Sequence, residues 1–188
     1  MFNEYDMISH ESKYDSERYE DRMKKGMVHI YTGDGRGKSP AALGRAIQAA
    51  VAGDQVVIIQ FLKERGLDES EFIKRMEPEI KLFRFEKSSE NFEELPEERK
   101  AEEVMNIRNG INFAKKVLST GECDLLILDE LLGLVDKKII SVEEVEQLLE
   151  QRGETNVILT GMTLNDDVCL LADEVSKIET LKFKTFEM

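Results

Sequence analysis

The sequence has little of several residue types that mark particular classes of protein. It contains only two cysteines, Cys123 and Cys169, which are too few and too isolated for a disulfide framework or a zinc site. We interpret both as buried thiols of a protein from a reducing compartment. There is no tryptophan, and the only histidines are His10 and His29. These shortages argue against a disulfide-stapled secreted domain and against a zinc module.

Positive charge and long apolar runs are also scarce. The chain has 26 Lys and Arg against 39 Asp and Glu, a formal net charge of −13. Binding to a nucleic-acid backbone needs a basic surface, so we expect no nucleic-acid partner. Residues 1–10 lack both the basic and the apolar stretch of a signal peptide, and no run approaches the ~20 apolar residues of a membrane span. We therefore expect no membrane association and a cytoplasmic location.

The length of 188 residues suits one domain with a single core. Residues 1–26 are polar, show no periodic apolar face and yet contain three of the four tyrosines. We expect this segment to be an N-terminal arm that is ordered only on a partner or ligand, the alternative being a loose terminus. The remainder, residues 27–188, is expected to form the folded domain.

Short apolar runs alternate with helical stretches from residue 27 onward. This pattern favours a mostly parallel sheet covered by helices. The predicted strands are 27–31, 55–61, 80–85, 124–128, 156–159 and 174–178. Apolar residues at steps of three and four between Val104 and Leu118 predict one helix. Ser141 followed by Glu144 predicts a capping box at the start of another.

A glycine-rich loop follows the first predicted strand and precedes an alanine-rich helix. Its residues are Thr32, Gly33, Asp34, Gly35, Arg36, Gly37, Lys38 and Ser39. The glycines let backbone N–H groups converge on phosphate oxygens, Lys38 supplies a cation and Ser39 offers a hydroxyl to Mg²⁺. The usual motif begins with glycine where this chain has Thr32, so the match is a variant, and the alternative is an ordinary glycine-rich turn. The loop predicts a site for the triphosphate of ATP with Mg²⁺.

A second motif supports the first. The apolar run 125–128 ends in Asp129 and Glu130. A buried parallel strand reads as a continuous apolar run, and acids at its carboxyl end lie where ligands bind in open α/β sheets. We predict that Asp129 orients Mg²⁺, and that Glu130 shares the metal or, in an ATPase, orients a water; the alternative is that both acids merely end a strand. The predicted fold is an α/β P-loop, RecA-like, three-layer fold with a mostly parallel sheet of about six strands.

Residues 31–39 resemble the phosphate loop of the ATP:cob(I)alamin (corrinoid) adenosyltransferases of the BtuR/CobO/CobP type. The resemblance includes Thr32, which stands where the usual motif begins with glycine. Similar segments follow in the family's order at 41–44, 57–63, 128–130, 143–148, 159–161 and 171–175. The resemblance implies transfer of the 5′-deoxyadenosyl group from ATP to a cobalt(I) corrinoid, with release of triphosphate. It also implies a homodimer in which the N-terminal arm covers the corrinoid site of the partner subunit, and it is compatible with a flavoprotein reductant.

The resemblance further implies roles for individual residues. Cobalt(I) is a nucleophile that carries no proton, so the reaction needs no general base. Charge on the leaving triphosphate would be stabilised by Lys38, Arg36, the loop amides and Mg²⁺. We predict Lys38 and Glu130 as the catalytic residues. Gln60 and Lys63 would lie near the nucleotide. The nucleotide would be bound in reverse, with its γ-phosphate where other P-loop proteins hold the α-phosphate.

The departures from the family pattern fall on the corrinoid side. Where the family has an aromatic wall ending in tryptophan, this chain offers Phe85 and Phe92, the alternative being that these are core phenylalanines. Met162 and Gln48 stand where the family has arginine. Two other interpretations therefore remain open: an ATP-binding paralogue with a regulatory or accessory role and no corrinoid transfer, and a RecA-like P-loop ATPase.

Overall fold

The computed structural model describes residues 25–62, 75–85 and 92–182. Its strands are β1 (Val28–Thr32), β2 (Val56–Gln60), β3 (Ile80–Arg84), β4 (Leu125–Asp129), β5 (Asn156–Thr160) and β6 (Glu174–Lys177). They form one sheet in the order β3–β2–β4–β5–β1–β6, and every neighbouring pair is parallel. The predicted α/β class is confirmed, and each predicted strand is present with its ends within one residue of the prediction.

The helices are α1 (Lys38–Ala52), α2 (Glu97–Thr120), α3 (Leu131–Asp136), α4 (Val142–Glu150) and α5 (Asp166–Cys169). A short 3₁₀ turn, Phe92–Glu94, precedes α2. The predicted capping box opens α4: the Ser141 hydroxyl accepts from the Glu144 N–H, and the Glu144 carboxylate accepts from the Ser141 N–H. The predicted apolar stripe forms the inner face of α2. None of the helices in the described ranges combines the length and the apolar character that a bilayer crossing requires.

Each face of the sheet carries its own apolar core. Alternate residues of β4 show why, since Leu126 and Leu128 belong to one core while Leu125 and Ile127 belong to the other. Helices α2, α3 and α4 contribute to the first core, and α1 contributes to the second. Burial on both faces explains why the central strands read as continuous apolar runs rather than as alternating ones.

The two thiols differ in their surroundings. Cys123 lies buried just before β4, as predicted, and burial raises the pKa of its thiol to about 12. Cys169 is only partly buried, so the prediction of two buried thiols was wrong for this residue. The reason is its position at the end of α5, a helix of four residues in which only Val168 is buried.

Gly26, the last residue of the predicted N-terminal arm, is tightly packed. Residues 1–24 lie outside the described residues, as does Lys63. The Gly26 N–H donates to the Gly153 carbonyl at 2.8 Å, and the Gly26 carbonyl accepts from Arg152 Nε at 2.6 Å. A Cβ at Gly26 would lie 2.0 Å from the Thr155 carbonyl oxygen, so a side chain does not fit there. The junction between arm and domain at this point stays a prediction.

Candidate functional site

The predicted phosphate loop and the predicted acid pair meet at one edge of the sheet. The loop follows β1, the acids end β4, and β5 lies between these two strands. Because all three strands are parallel, their carboxyl ends share the edge where ligands bind in open α/β sheets. Ser39 Oγ donates a hydrogen bond to Asp129 Oδ1 at 2.8 Å. The structure therefore joins two motifs that stand 90 residues apart in the sequence.

Lys38 is the first residue of α1, and its ammonium group lies inside the loop. Its Nζ donates to the Gly33 carbonyl at 2.6 Å and to the Gly35 carbonyl at 2.9 Å. The residue is only 7% exposed. The first N–H groups of a helix have no acceptor along the helix, and the helix dipole places partial positive charge at the same end. The lysine and the start of α1 together make the loop an electropositive point suited to phosphate oxygens.

The loop packs against the segment that follows β6. The Gly35 N–H donates to the Ile178 carbonyl at 3.0 Å, and the Gly33 N–H donates to the Met162 carbonyl at 3.1 Å. The Thr32 hydroxyl donates to the same Met162 carbonyl at 3.2 Å. A Cβ added at Gly33, whose φ is 111°, would lie 2.4 Å from the Ile178 oxygen, and one at Gly35 would lie 2.7 Å from it. The chain's own packing thus requires both glycines.

Asp129 is the centre of a buried hydrogen-bond network. Its side chain is 2% exposed, and Oδ1 accepts from the hydroxyls of Ser39, at 2.8 Å, and of Thr160, at 2.7 Å. Its Oδ2 accepts from Gln60 Nε2 at 3.1 Å. Gln60 in turn accepts from Arg84 Nε at 3.1 Å. The network joins side chains from the ends of β2, β3, β4 and β5 to the start of α1, and it places the predicted residue Gln60 against Asp129.

Glu130 has an unusual backbone conformation. It stands between β4 and α3 with φ 64° and ψ 23°, in the left-handed region that residues other than glycine seldom adopt. Its N–H donates to the Thr160 hydroxyl at 2.9 Å. Strained conformations of this kind persist where the surrounding structure fixes them, and they concentrate at functional sites. The predicted pair Asp129–Glu130 is therefore held by contacts from the neighbouring strand β5.

The oxygen atoms at the loop suit Mg²⁺. The Ser39 hydroxyl and the Asp129 carboxylate are hard oxygen ligands 2.8 Å apart. Mg²⁺ is commonly held by one or two carboxylates, with phosphate oxygens and water completing its octahedron. Within residues 25–62, 75–85 and 92–182, no cluster of three or more His, Cys, Asp or Glu side chains could hold a metal. The residues present fit a magnesium ion that takes most of its ligands from a nucleotide.

An open cavity of about 490 Å³ lies beside the loop. Its lining consists of Gly33, Asp34, Met162, Lys177, Glu179, Thr180 and Leu181. Met162 is 61% exposed and Leu181 is 95% exposed, so the cavity offers apolar surface next to the phosphate loop. The ion pair between Lys177 and Glu179 raises the pKa of the lysine and lowers that of the glutamate. The cavity has room for a part of a ligand that extends out of the loop.

The loop has a further contact at the cavity, through Arg36. The backbone N–H of Arg36 donates to the Thr180 hydroxyl at 3.4 Å. Arg36 itself is exposed. This contact and those of Ile178 attach the loop to the segment after β6. Sequence reasoning missed this segment, since nothing in its composition distinguishes it.

The phenylalanines predicted to face the corrinoid pack against the larger core. The ring centroids of Phe85 and Phe113 lie 5.7 Å apart. A Cβ added at Gly110 would lie 2.7 Å from Cγ of Phe85. Phe92 begins the 3₁₀ turn and packs against the same core. Both are partly buried, so a role for either against the corrinoid stays a prediction, as does the role of Lys63, which lies outside the described residues.

Comparison with known families decides what kind of protein this site belongs to. The model of the family "ATP:corrinoid adenosyltransferase BtuR/CobO/CobP" matches residues 24–187. The chain belongs to this family.

Two curated relatives show how similar other corrinoid adenosyltransferases are to this chain. The Corrinoid adenosyltransferase of Escherichia coli K12 is 31% identical over 166 residues, which cover 85% of this chain and 79% of that protein. The Corrinoid adenosyltransferase CobA of Salmonella typhimurium LT2 is 30% identical with the same coverage.

A solved structure shows the same fold outside the corrinoid adenosyltransferase family. The KaiC-like protein PH0186 of Pyrococcus horikoshii superposes with a TM-score of 0.55 at 20% identity, covering 85% of this chain and 76% of that one. At this level of identity the similarity concerns the fold alone. It agrees with the predicted RecA-like class.

Proposed function

We propose that the loop at residues 32–39 and the acids Asp129 and Glu130 form the ATP site of a corrinoid adenosyltransferase. The reaction of this chain is transfer of the 5′-deoxyadenosyl group from ATP to the cobalt of a reduced corrinoid, with release of triphosphate. The observation that supports the assignment of the site is the contact of Ser39 with Asp129 beside the buried ammonium of Lys38. It unites a phosphate-binding loop and an acid pair in a chain that matches the family along almost all its length.

The chemistry that this site must support is a displacement at the ribose 5′ carbon. Cobalt(I) supplies the electron pair of the new cobalt–carbon bond, and the carbon–oxygen bond breaks with its electron pair going to the leaving triphosphate. Lys38 and the first N–H groups of α1 stabilise the negative charge on that leaving group. In the orientation implied by the family, the γ-phosphate lies where other P-loop proteins hold the α-phosphate, and the bound triphosphate positions the ribose carbon for in-line attack.

The metal contributes electrostatically. Ser39 and Asp129 would hold Mg²⁺, whose charge offsets that of the triphosphate oxygens. Glu130, directly after Asp129, would share this ion; orienting a water is its role only under the ATPase alternative. The open cavity would accommodate substrate atoms outside the loop, and this assignment rests on its position beside the loop and on the exposed side chains of Met162 and Leu181.

Analysis of the products tests the proposed function. With ATP, Mg²⁺ and a chemically reduced cobalt(I) corrinoid, the protein should form adenosylcorrinoid and inorganic triphosphate in equal amounts. ADP and phosphate without adenosylcorrinoid would contradict the proposal and favour the ATPase. ATP binding with neither product would favour the regulatory paralogue. If a flavoprotein reductase is the natural partner, replacing the chemical reductant by a reduced flavoprotein should preserve product formation. The transferase and the reductase would then share the cytoplasm, and cell fractionation tests this location.

We also propose that the protein works as a homodimer in which residues 1–26 complete the corrinoid site of the partner subunit, while residues 27–188 form the nucleotide-binding domain. The family resemblance and the separate composition of the first 26 residues support this arrangement. Analytical ultracentrifugation should find a dimer. Removal of residues 1–26 should lower corrinoid turnover more than ATP affinity, because the loop and acids stay intact. A monomer, or an equal loss of both properties, would refute the arrangement.

A further inference from the structure

Thr160 contacts both residues of the acid pair with a single hydroxyl group. It is the last residue of β5, the strand between β1 and β4, and its exposure is 0%. Its hydroxyl donates to Asp129 Oδ1 at 2.7 Å and accepts from the Glu130 N–H at 2.9 Å. The hydroxyl of Thr160 thus acts as donor to Asp129 and as acceptor to Glu130, the two consecutive acids of the proposed metal and phosphate site.

The contact with Glu130 fixes a strained conformation. A left-handed backbone costs free energy in a residue with a Cβ, so φ 64° at Glu130 must be held by its surroundings. The Thr160 hydroxyl accepts the N–H of this residue and thereby holds the peptide that joins Asp129 to Glu130. Without that acceptor the partly buried Glu130 N–H loses this hydrogen bond, and the contact through which β5 orients the Glu130 backbone is lost.

The contact with Asp129 fixes the carboxylate. Oδ1 receives hydroxyl hydrogen bonds from two sides, from Ser39 on α1 and from Thr160 on β5, while Gln60 contacts Oδ2. Among the contacts described, the hydroxyl of Thr160 is therefore one of the donors that set the carboxylate plane. A metal bound by Asp129 and Ser39 requires that plane to stay fixed, because Mg²⁺ tolerates little departure from octahedral geometry.

We propose that Thr160 is a positioning residue for adenosyl transfer: its hydroxyl holds Asp129 and Glu130 together in the orientation in which they act on Mg²⁺ and ATP. This inference rests on the proposed function of the acid pair. It concerns orientation and not chemistry, since the buried hydroxyl reaches the reaction only through the two acids.

The test compares three variants. Thr160→Val keeps the branched shape and removes the hydroxyl, and Thr160→Ser keeps the hydroxyl and removes the methyl group. The control is Thr155→Val, because Thr155 is also buried and its hydroxyl donates to the Cys123 carbonyl at 2.8 Å, just before the other end of β5. Thermal unfolding of all three variants reports whether each one is folded.

Two readouts are measured for every variant: kcat and KM for adenosylcorrinoid formation, and the Kd for ATP as Mg²⁺ is titrated. Thr160→Val should lower kcat about 30-fold, and it should weaken the Mg²⁺-dependent part of ATP binding about tenfold, with the KM for the corrinoid within about twofold of the wild type. Thr160→Ser should keep kcat and the Mg²⁺-dependent part of ATP binding within about threefold of the wild type, and Thr155→Val should change neither quantity.

The outcomes separate this inference from the proposed function. Wild-type kinetics and binding in Thr160→Val, or a Thr160→Ser variant as impaired as Thr160→Val, would overturn the positioning role while adenosyl transfer by the wild type stands. If the wild type forms no adenosylcorrinoid, the proposed function fails. The Mg²⁺ dependence of ATP binding then still decides the role of Thr160: a tenfold loss in Thr160→Val supports it, and no loss overturns it.

Discussion

Replacing Lys38 by alanine is expected to lower the affinity for ATP about 100-fold and the rate of adenosyl transfer about 1000-fold. The ammonium group lies within the loop on the carbonyls of Gly33 and Gly35, where, in the proposed site, it would meet the phosphate oxygens of a bound triphosphate. Because negative charge grows on the triphosphate as the carbon–oxygen bond breaks, the lysine contributes more to the transition state than to binding. Isothermal titration calorimetry measures the first effect, and the rate of adenosylcorrinoid formation measures the second.

The control for this variant is Lys116→Ala, which removes an exposed lysine from the outer face of α2 and should leave both quantities unchanged. Thermal unfolding of Lys38→Ala is also needed, because the change leaves two loop carbonyls without their donor. A folded Lys38→Ala protein that binds ATP as tightly as the wild type would mean that the loop is not the phosphate site.

Replacing Asp129 by asparagine is expected to lower the transfer rate about 100-fold and to raise the Mg²⁺ concentration needed for half-maximal activity. The change replaces the carboxylate that accepts the hydrogen bond of Ser39. Asp129 accepts hydrogen bonds from Ser39, Gln60 and Thr160. The NH₂ group of an asparagine cannot accept, so at least one of these donors would face another donor. The rate is measured over a titration of MgCl₂ at saturating ATP and corrinoid.

Asp124→Asn is the matched control for Asp129→Asn. Asp124 stands immediately before the same strand, at the edge of the sheet opposite the site, and its carboxylate accepts only a backbone N–H of Gln55 among the contacts described. This variant should keep the wild-type Mg²⁺ dependence. An Asp129→Asn protein with an unchanged Mg²⁺ dependence would show that the metal, if it acts in the reaction, is held elsewhere.

The fold could be predicted because its signals are local. The central strands are buried on both faces, so runs such as 125–128 are continuously apolar and their ends are marked by polar residues. The capping box of α4 is contained in four consecutive residues, Ser141 to Glu144. The phosphate loop and the acid pair could also be identified, because each is a short motif at the end of a strand.

The remainder of the site depends on contacts between distant parts of the chain. Thr160 ends an apolar run just as Asp129 does, and it lies in the family-like segment 159–161, but neither signal shows that its hydroxyl contacts the acid pair. Arg84 reaches the site only through Gln60. The carbonyl of Ile178 meets the loop because β6 lies beside β1, which the order of strands in the sequence does not reveal.

The packing of Ile178 against the loop changes how mutational data on this motif should be interpreted. Glycines 33 and 35 face a backbone oxygen of the protein itself, at distances that no side chain can satisfy. A library of substitutions would therefore find both positions intolerant by a stability screen alone, even without nucleotide. Ser39 is the better reporter of ligand binding, because its hydroxyl contacts Asp129 and a serine-to-alanine change removes that hydroxyl without adding an atom to the loop.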